Sequence, residues 1–266
     1  MQLLDFLSLD ASATDAKMDR RTVLHRLKDA GLGLAAVTTP LALLSRSRST
    51  RAQSASDPVD VLNFALTLEF LEASFYRQGL DASGLIPDAA RDVYGKISQH
   101  EDAHVALLSQ TIGDLGGEPV SFSDDDFDFT AGGTFDPFGD YATFLLLSQA
   151  FEDTGVRAYK GQAGALAGND LLTPALQIHS VEARHAAEVR RLRAERGASL
   201  KPWITNAQTA GAPSAVYAGE DTTTQAGVEQ TSLGSYSMAQ VTEAYDEPLT
   251  VQDVAGDNGI AAPFFT

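Results

Sequence analysis

Four stretches of the chain repeat apolar residues at the three- to four-residue spacing of an amphipathic α-helix. The pattern predicts helices over residues 59–80, 88–115, 140–166 and 172–197. Asp57 and Pro58 indicate the first helix start, because an aspartate accepts from free N–H groups and proline fits the first turn. Gly116, Gly117 and Gly168 indicate helix ends.

The connections between these helices are unequal in length. Short turns join the first helix to the second and the third to the fourth, whereas the 20 residues 118–137 separate the second from the third. Helices joined by short loops pack as antiparallel neighbours. The sequence therefore predicts an all-α fold, a four-helix bundle over residues 56–197 with one long crossover between helices 2 and 3.

Residues 198–266 have a different composition, in which Gly, Ser, Thr and Ala dominate and most charged residues are acidic. A short amphipathic stretch over 237–245 and an apolar end over 260–265 argue against a disordered tail. We expect an irregular C-terminal extension that packs along the bundle or against another subunit of a homo-oligomer.

The charge of the chain is unevenly distributed. Residues 1–55 contain eight basic and five acidic residues, which leaves 11 basic and 31 acidic residues, a net charge of −20, in 56–266. Within the basic part, Arg20 and Arg21 precede an apolar run over 30–44, which is followed by a small polar stretch. This order predicts a twin-arginine-type signal peptide over residues 1–55 with cleavage near 52–55.

A chain with this signal is exported to the periplasm, the cell envelope or the extracellular space. The apolar run of about 15 residues is too short to span a bilayer comfortably, so no stable membrane insertion is expected after cleavage. A disordered N-terminal arm and an uncleaved anchor are the alternatives, because basic residues after the apolar run are untypical of a cleavage region.

Composition excludes several classes of function. The chain has no Cys, which excludes disulfide frameworks, Cys-ligated zinc, iron–sulfur clusters and thiol catalysis. Its net charge of −17 argues against nucleic-acid partners, because phosphate would be repelled. Any metal must therefore be held by carboxylates and imidazoles.

Each predicted helix carries a glutamate among apolar neighbours. The first and third helices contribute Glu69 and Glu152, and the second and fourth contain Glu-x-x-His motifs, Glu101 with His104 and Glu182 with His185. Residues three apart lie close together on one face of a helix, so each motif can direct two ligands into one core. Burying four carboxylates without a cation would be very costly, so an inward-facing set indicates metal or protons.

The spacing of these residues supports the interpretation. In each hairpin the glutamate of the first helix precedes that of the second by a similar distance, 32 residues in one and 30 in the other. The 12 Glu and four His of residues 56–266 would give about 0.2 Glu-x-x-His pairs by chance, and two are present. The two hairpins are therefore interpreted as diverged copies that bring four Glu and two His to the same depth.

This donor set is the one that di-iron and di-manganese carboxylate bundles use. Oxygen and imidazole ligands suit iron and manganese, so we expect two Fe or Mn ions per chain. Zinc is an alternative, although structural zinc sites are usually four-coordinate and often contain sulfur.

Three further residues are expected close to these ligands. Tyr76 and Tyr159 each follow the first glutamate of their hairpin by seven residues, so they can hydrogen-bond ligand carboxylates, carry an oxidised radical, or simply pack at the edge of the core. Glu72 lies one turn after Glu69 and is either an additional ligand or a surface residue. The equivalent position in the second hairpin is Gly155, which cannot be a ligand, so a surface position is favoured for Glu72.

Other polar residues are weaker candidates. His100 is adjacent to Glu101 and is expected to point outward, while His179 lies either beside the ligands or at the end of the bundle. Asp124, Asp126 and Asp128 alternate like the start of a calcium loop, but phenylalanines occupy the sixth and twelfth positions, where such a loop needs Gly and Glu. A solvated acidic loop is the preferred interpretation.

Six segments of the chain carry a recognisable pattern: LNFALTLEFLEASFY, HEDAHV, FEDTGVRAYKG, HSVEARH, AGEDTTTQAGV and YDEPLT. Together they resemble a known family, the exported ferritin-like domain proteins of prokaryotes, which also includes the plant desiccation-related proteins. The resemblance covers residue 57 to the C-terminus and implies a ferritin-like four-helix bundle. More distantly, the ligand set is similar to that of manganese catalases and rubrerythrins, which implies that the four glutamates and two histidines are the metal ligands.

The leading functional hypothesis is an exported di-metal carboxylate protein that acts on a small oxidant or a metal ion, namely peroxide, dioxygen or ferrous iron, in oxidative or desiccation stress. The alternative is a non-catalytic stress-protective or structural protein whose metal site is structural or absent, since an acidic surface helps solubility. Ferritin-style iron storage is a third hypothesis and would require a closed cage.

Overall fold

The structure, a computed structural model, describes residues 57–266; the predicted signal peptide lies outside these residues. Four long helices follow in chain order: α1 Pro58–Asp81, α2 Asp88–Asp114, α3 Tyr141–Ala163 and α4 Leu172–Glu195. The C-terminal part contains three short 3₁₀-helices, two short α-helices and one small antiparallel sheet; the α-helices and strands are α5 Met238–Thr242, α6 Val251–Ala255, β1 Thr224–Gln225 and β2 Val228–Glu229. None of the described helices is long and apolar enough to cross a membrane.

The helices pair as the sequence predicts. Helix α1 packs against α2 and α3 packs against α4, and the two hairpins meet through α1 and α3. The predicted fold class, an all-α four-helix bundle with one long crossover between the second and third helices, is confirmed. The third helix ends three residues earlier than predicted, because the chain leaves the helix through turns that begin at Gly164.

Local sequence signals determine where two of the helices begin. The carboxylate of Asp57 accepts a hydrogen bond from the N–H of Val59 at 3.0 Å, with Pro58 in the first turn. Asp140 accepts similarly from Thr143 at 2.9 Å. Each aspartate satisfies an N–H that the helix itself leaves free.

An aromatic cluster fills the core at one end of the bundle. Phe75 of α1 lies at its centre, stacked on Phe144 at 4.8 Å between ring centroids and edge-on to Phe151 at 5.0 Å. The crossover contributes Phe127 and Phe129, both buried in the same cluster. The long connection therefore stabilises the bundle, since burying a side chain of this size contributes about 1.5–3 kcal/mol.

The C-terminal extension lies along α3 of its own chain. The N–H of Leu249 donates to the carbonyl of Arg157 at 3.0 Å, and the ring of Phe264 packs edge-on against Phe151 at 4.9 Å. Near the end of the chain, the carbonyl of Phe264 accepts from the N–H of Asp128 at 2.8 Å. The extension thus contacts both α3 and the crossover.

A buried polar network attaches the extension to the bundle. Arg190 of α4 donates to the carboxylate of Asp153 of α3, with Nη2 2.7 Å from Oδ2 and Nε 2.9 Å from Oδ1. The hydroxyl of Tyr217, from the extension, donates to the same carboxylate at 2.7 Å. A second buried ion pair joins Nε of Arg157 to Oε1 of Glu220 at 2.8 Å. Because both ion pairs are buried, they restrict where the extension can lie.

Gly161 is a position where α3 lies very close to the extension. A Cβ placed there would overlap the carbonyl oxygen of Leu249. We therefore expect Gly161→Ala to lower the free energy of unfolding by about 1–3 kcal/mol, measured by urea denaturation, because the extension must shift away from the helix. Gly164→Ala is the matched control: no described atom lies within 4 Å of its Cβ, and a gain of about 0.4–1 kcal/mol is expected. Equal stabilities for the two variants would contradict this packing.

Candidate metal centre

The six residues predicted to bind metal come together in the middle of the bundle. Their donor atoms form two overlapping groups, each within 4.8 Å: Glu69, Glu101, His104 and Glu182, and Glu101, Glu152, Glu182 and His185. Each of the four helices supplies one glutamate, and all four glutamates are 0% exposed. Glu101 and Glu182 belong to both groups, so their carboxylates lie between the two donor sets.

Each imidazole directs one nitrogen toward the carboxylates. Nδ1 of His104 lies 3.0 Å from Oε2 of Glu101 and 3.1 Å from Oε2 of Glu69. Nδ1 of His185 lies 2.9 Å from Oε1 of Glu101 and 3.4 Å from Oε2 of Glu152. The two oxygens of Glu101 therefore face different histidines, as expected of a carboxylate shared by two sites.

The two tyrosines hydrogen-bond carboxylates of the opposite hairpin. Tyr76 of α1 donates to Oε1 of Glu152 on α3 at 2.5 Å, and Tyr159 of α3 donates to Oε1 of Glu69 on α1. Burial and the adjacent carboxylates raise the pKa of both phenols well above the usual value, so both remain neutral donors. Each hydroxyl fixes one carboxylate oxygen, and the other oxygen faces the interior of the cluster.

Glu72 is a fifth carboxylate in the interior, so the preference for a surface position was wrong. Its side chain is 3% exposed. A Cβ at Gly155 would lie 3.2 Å from Oε1 of Glu72 and 3.2 Å from Oε2 of Glu182. The glycine that broke the repeat therefore supplies the room that the additional carboxylate occupies.

Burial makes a full set of negative charges unfavourable in this core. Burial raises the pKa of Glu69 to about 7 and also raises that of Glu152. Burial together with the neighbouring carboxylates raises the pKa of Glu72 and Glu182 well above the usual range. The carboxylates therefore need protons or cations for charge balance.

Glu101 differs from the other four carboxylates because both imidazoles face it. Burial is the largest single influence and would raise its pKa, but the contacts with His104 and His185 outweigh burial and lower the pKa to about 2. Burial would lower the pKa of both imidazoles, but the surrounding carboxylates raise it to about 12 for His104 and about 11 for His185. The core thus attracts positive charge strongly.

Several donor atoms in this core have no hydrogen-bond partner among the described residues. They are Oε1 of Glu101, Oε2 of Glu152, both carboxylate oxygens of Glu182 and Nδ1 of His185. Some lie close to one another without being aligned for a hydrogen bond, as do Glu101 Oε1 and His185 Nδ1 at 2.9 Å. When two ligand atoms bind one ion at right angles and each lies about 2.1 Å from it, the two atoms are about 3 Å apart. The separation of these donor atoms is similar. The arrangement therefore fits metal ions, and its oxygen and nitrogen donors suit iron or manganese.

Residues 57–195, just over half of the chain, match the family model of the ferritin-like domain. The chain belongs to the ferritin-like family. No curated protein matched the chain. In this ferritin-like protein, the matched region contains all four long helices and every donor residue of the cluster.

His100 is half-buried at the surface of α2, and its ring makes a contact with a donor residue that the sequence did not predict. Nδ1 of His100 lies 2.9 Å from Nε2 of His185, and the two rings are nearly parallel at 16°. Spacing along α2 could not show this contact, because the partner lies on α4 of the other hairpin. His179 is half-buried and lies outside both donor groups of this ferritin-like protein.

The three aspartates of the acidic crossover are paired with protein groups. Asp124 is held by Arg77, whose Nη2 lies 2.6 Å from Oδ1, and by the hydroxyl of Ser74 at 2.7 Å. Asp126 and Asp128 accept hydrogen bonds from neighbouring residues of the loop, such as Ser123 and Thr130. The three aspartates therefore stabilise the crossover of this ferritin-like protein and anchor it to α1.

Proposed function

We propose that this ferritin-like protein binds two iron or manganese ions and acts as an oxidoreductase on hydrogen peroxide, dioxygen or ferrous iron. The observation that carries the proposal is the pair of overlapping donor groups with unpaired, buried donor atoms. Glu69 and His104 would hold one ion, and Glu152 and His185 the other. The two glutamates shared by both donor groups, Glu101 and Glu182, would bridge the two ions.

The protein's own residues prepare this core for redox chemistry. When bound, two such ions would supply electrons to, or accept them from, a small substrate. The four glutamates bring negative charge that favours higher oxidation states, while complete burial excludes bulk water. Tyr76 and Tyr159 hold Glu152 and Glu69 in fixed orientations through their hydroxyl groups. Glu72 places one more carboxyl beside Glu182.

A structural metal site is the second candidate function. This candidate is favoured because each of the four helices contributes one fully buried glutamate to the donor set. Ions bound there would cross-link the bundle without reacting. In that case the protein would act as a non-catalytic stress-protective protein, and the acidic surface would keep it soluble.

Elemental analysis of natively purified protein, followed by assays of peroxide consumption and ferrous-iron oxidation, separates these functions. Two Fe or Mn per chain with turnover is the result expected for the oxidoreductase. Two ions without turnover would support the structural alternative. No stoichiometric metal would contradict both.

We also propose that the chain is exported through a twin-arginine route and works outside the cytoplasm under oxidative or desiccation stress. The support is the order of Arg20-Arg21, the apolar run over 30–44 and the polar stretch that follows. Replacing both arginines by lysine should retain the precursor in the cytoplasm. Unchanged secretion of that variant would contradict the proposal.

A further inference from the structure

His185 is the donor whose two ring nitrogens both have a defined neighbour. Nδ1 faces the carboxylates of Glu101 and Glu152, and Nε2 lies 2.9 Å from Nδ1 of His100. A neutral imidazole carries its proton on one nitrogen and a lone pair on the other. If Nδ1 of His185 binds a metal ion, the ring proton must be on Nε2. Nε2 of His185 can then only donate a hydrogen bond to Nδ1 of His100.

Among residues 57–266, the second histidine of the cluster lacks such a partner. The repeat that relates the two hairpins aligns His104 with His185, and it aligns His100 with Val181, whose side chain cannot accept a hydrogen bond. Within residues 57–266, the hydrogen bonds of the His104 ring all involve Nδ1. The outer contacts of the two histidines are therefore different, although the inner contacts are similar.

His100 lies at the protein surface rather than in the core. It lines an open groove of 350 Å³ between α2 and α4, together with apolar side chains of Val93 and Ile97 and the edge of His185. Removing the imidazole of His100 would therefore enlarge a solvent-filled groove and leave the packed interior intact. Such a change should cost little stability, in contrast to a core cavity.

We propose that His100 is a positioning residue, whose Nδ1 accepts the Nε2–H of His185 and so holds the lone pair of Nδ1 of His185 toward one of the two ions. This inference rests on the proposed di-metal function. Histidines that bind metals commonly donate their other N–H to a protein acceptor, and losing that acceptor costs about 10–100-fold in metal affinity. Because His104 has no equivalent partner in the described part of the chain, only the ion held by His185 is expected to depend on His100.

The test compares four full-length proteins, wild type, His100→Ala, His100→Asn and Val181→Ala, by titration with Mn²⁺ against a competing chelator. The wild type should bind two ions. In His100→Ala the Kd of one ion should rise about 10–100-fold while that of the other is unchanged. His100→Asn keeps an acceptor near the position of Nδ1 and should restore the wild-type value. Val181→Ala changes the equivalent position of the repeat and should leave both affinities unchanged.

A spectroscopic measurement distinguishes positioning from packing. In the Co²⁺-loaded protein, the Nε2–H of His185 should give a strongly shifted proton NMR signal that exchanges slowly with water while His100 accepts it. The signal should broaden or vanish in His100→Ala and return in His100→Asn. A role in packing alone would not restore the signal with asparagine.

Three results would overturn the inference, and they have different meanings. Unchanged affinities in His100→Ala, with two ions still bound, would remove the role of His100 and leave the proposed function standing. Equal weakening of both ions together with a lower melting temperature would show that His100 acts through packing. A wild type that binds neither Mn²⁺ nor Co²⁺ stoichiometrically would overturn the proposed function itself.

Discussion

Glu182→Gln is expected to abolish stoichiometric binding of both ions, while the metal-free protein remains at least as stable as the wild type. Both donor groups include Glu182, and neither of its oxygens has a hydrogen-bond partner among the described residues. Glutamine has nearly the same shape but removes one negative charge and one oxygen donor. Metal affinity should fall by more than about 100-fold, which exceeds the cost of losing an outer hydrogen-bond partner.

Unfolding measured with and without Mn²⁺ checks both parts of this prediction. An ion at 100 times its Kd adds about 2.7 kcal/mol to the free energy of unfolding, so the wild type should be stabilised and Glu182→Gln should not. Glu118→Gln is the matched control, because Glu118 is exposed and lies outside the donor groups. The double variant Glu101→Gln/Glu182→Gln removes both shared carboxylates; if it retained two ions, the ligand assignment would be wrong.

Arg190→Ala is expected to be the most destabilising of the substitutions considered outside the metal centre. It would leave the carboxylate of Asp153 buried without its cation, which typically costs about 3–5 kcal/mol. The loss should also release the start of the extension, because Nη1 of Arg190 donates to the carbonyl of Trp203 at 3.3 Å. Urea denaturation and limited proteolysis after residue 197 measure the two effects.

The adjacent residue provides the control for this prediction. Arg191 forms ion pairs with Glu188 and Glu195 on the surface of the same helix, and exposed pairs of this kind contribute about 0–1 kcal/mol. Arg191→Ala should therefore be nearly neutral. Replacing both partners of the buried pair, Asp153→Leu with Arg190→Met, should recover part of the loss, because no charge is then left unpaired. A similar cost for Arg190→Ala and Arg191→Ala would contradict the role given to the buried pair.

The four helices and the positions of the donor residues could be predicted because both depend on local spacing. Helix ends at Asp57 and Gly116 follow from capping preferences, and a Glu-x-x-His motif directs two side chains to one face wherever the helix packs. The near-equal spacing of the hairpins then indicates that the four helices bring these faces together. No knowledge of the packing is needed for that step.

Contacts between distant segments could not be predicted in the same way. Glu72 is buried because Gly155, on another helix, leaves space, and the contact of His100 with His185 depends on how α2 and α4 approach. The path of the extension is determined by backbone contacts such as that of Leu249 with Arg157, which leave no periodic pattern in the sequence. These contacts depend on which segments lie close together in space, and the spacing of residues along the chain does not show that.

The exchange of tyrosine contacts between the hairpins has a consequence for folding cooperativity. Glu69 receives its hydroxyl partner from the second hairpin, and Glu152 receives its partner from the first. An isolated hairpin would therefore hold its carboxylates without the donors that orient them. Because ions stabilise only the state that binds them, metal would favour the fully docked pair of hairpins over any half-folded intermediate. Metal binding would thus make the folding of the two hairpins more cooperative.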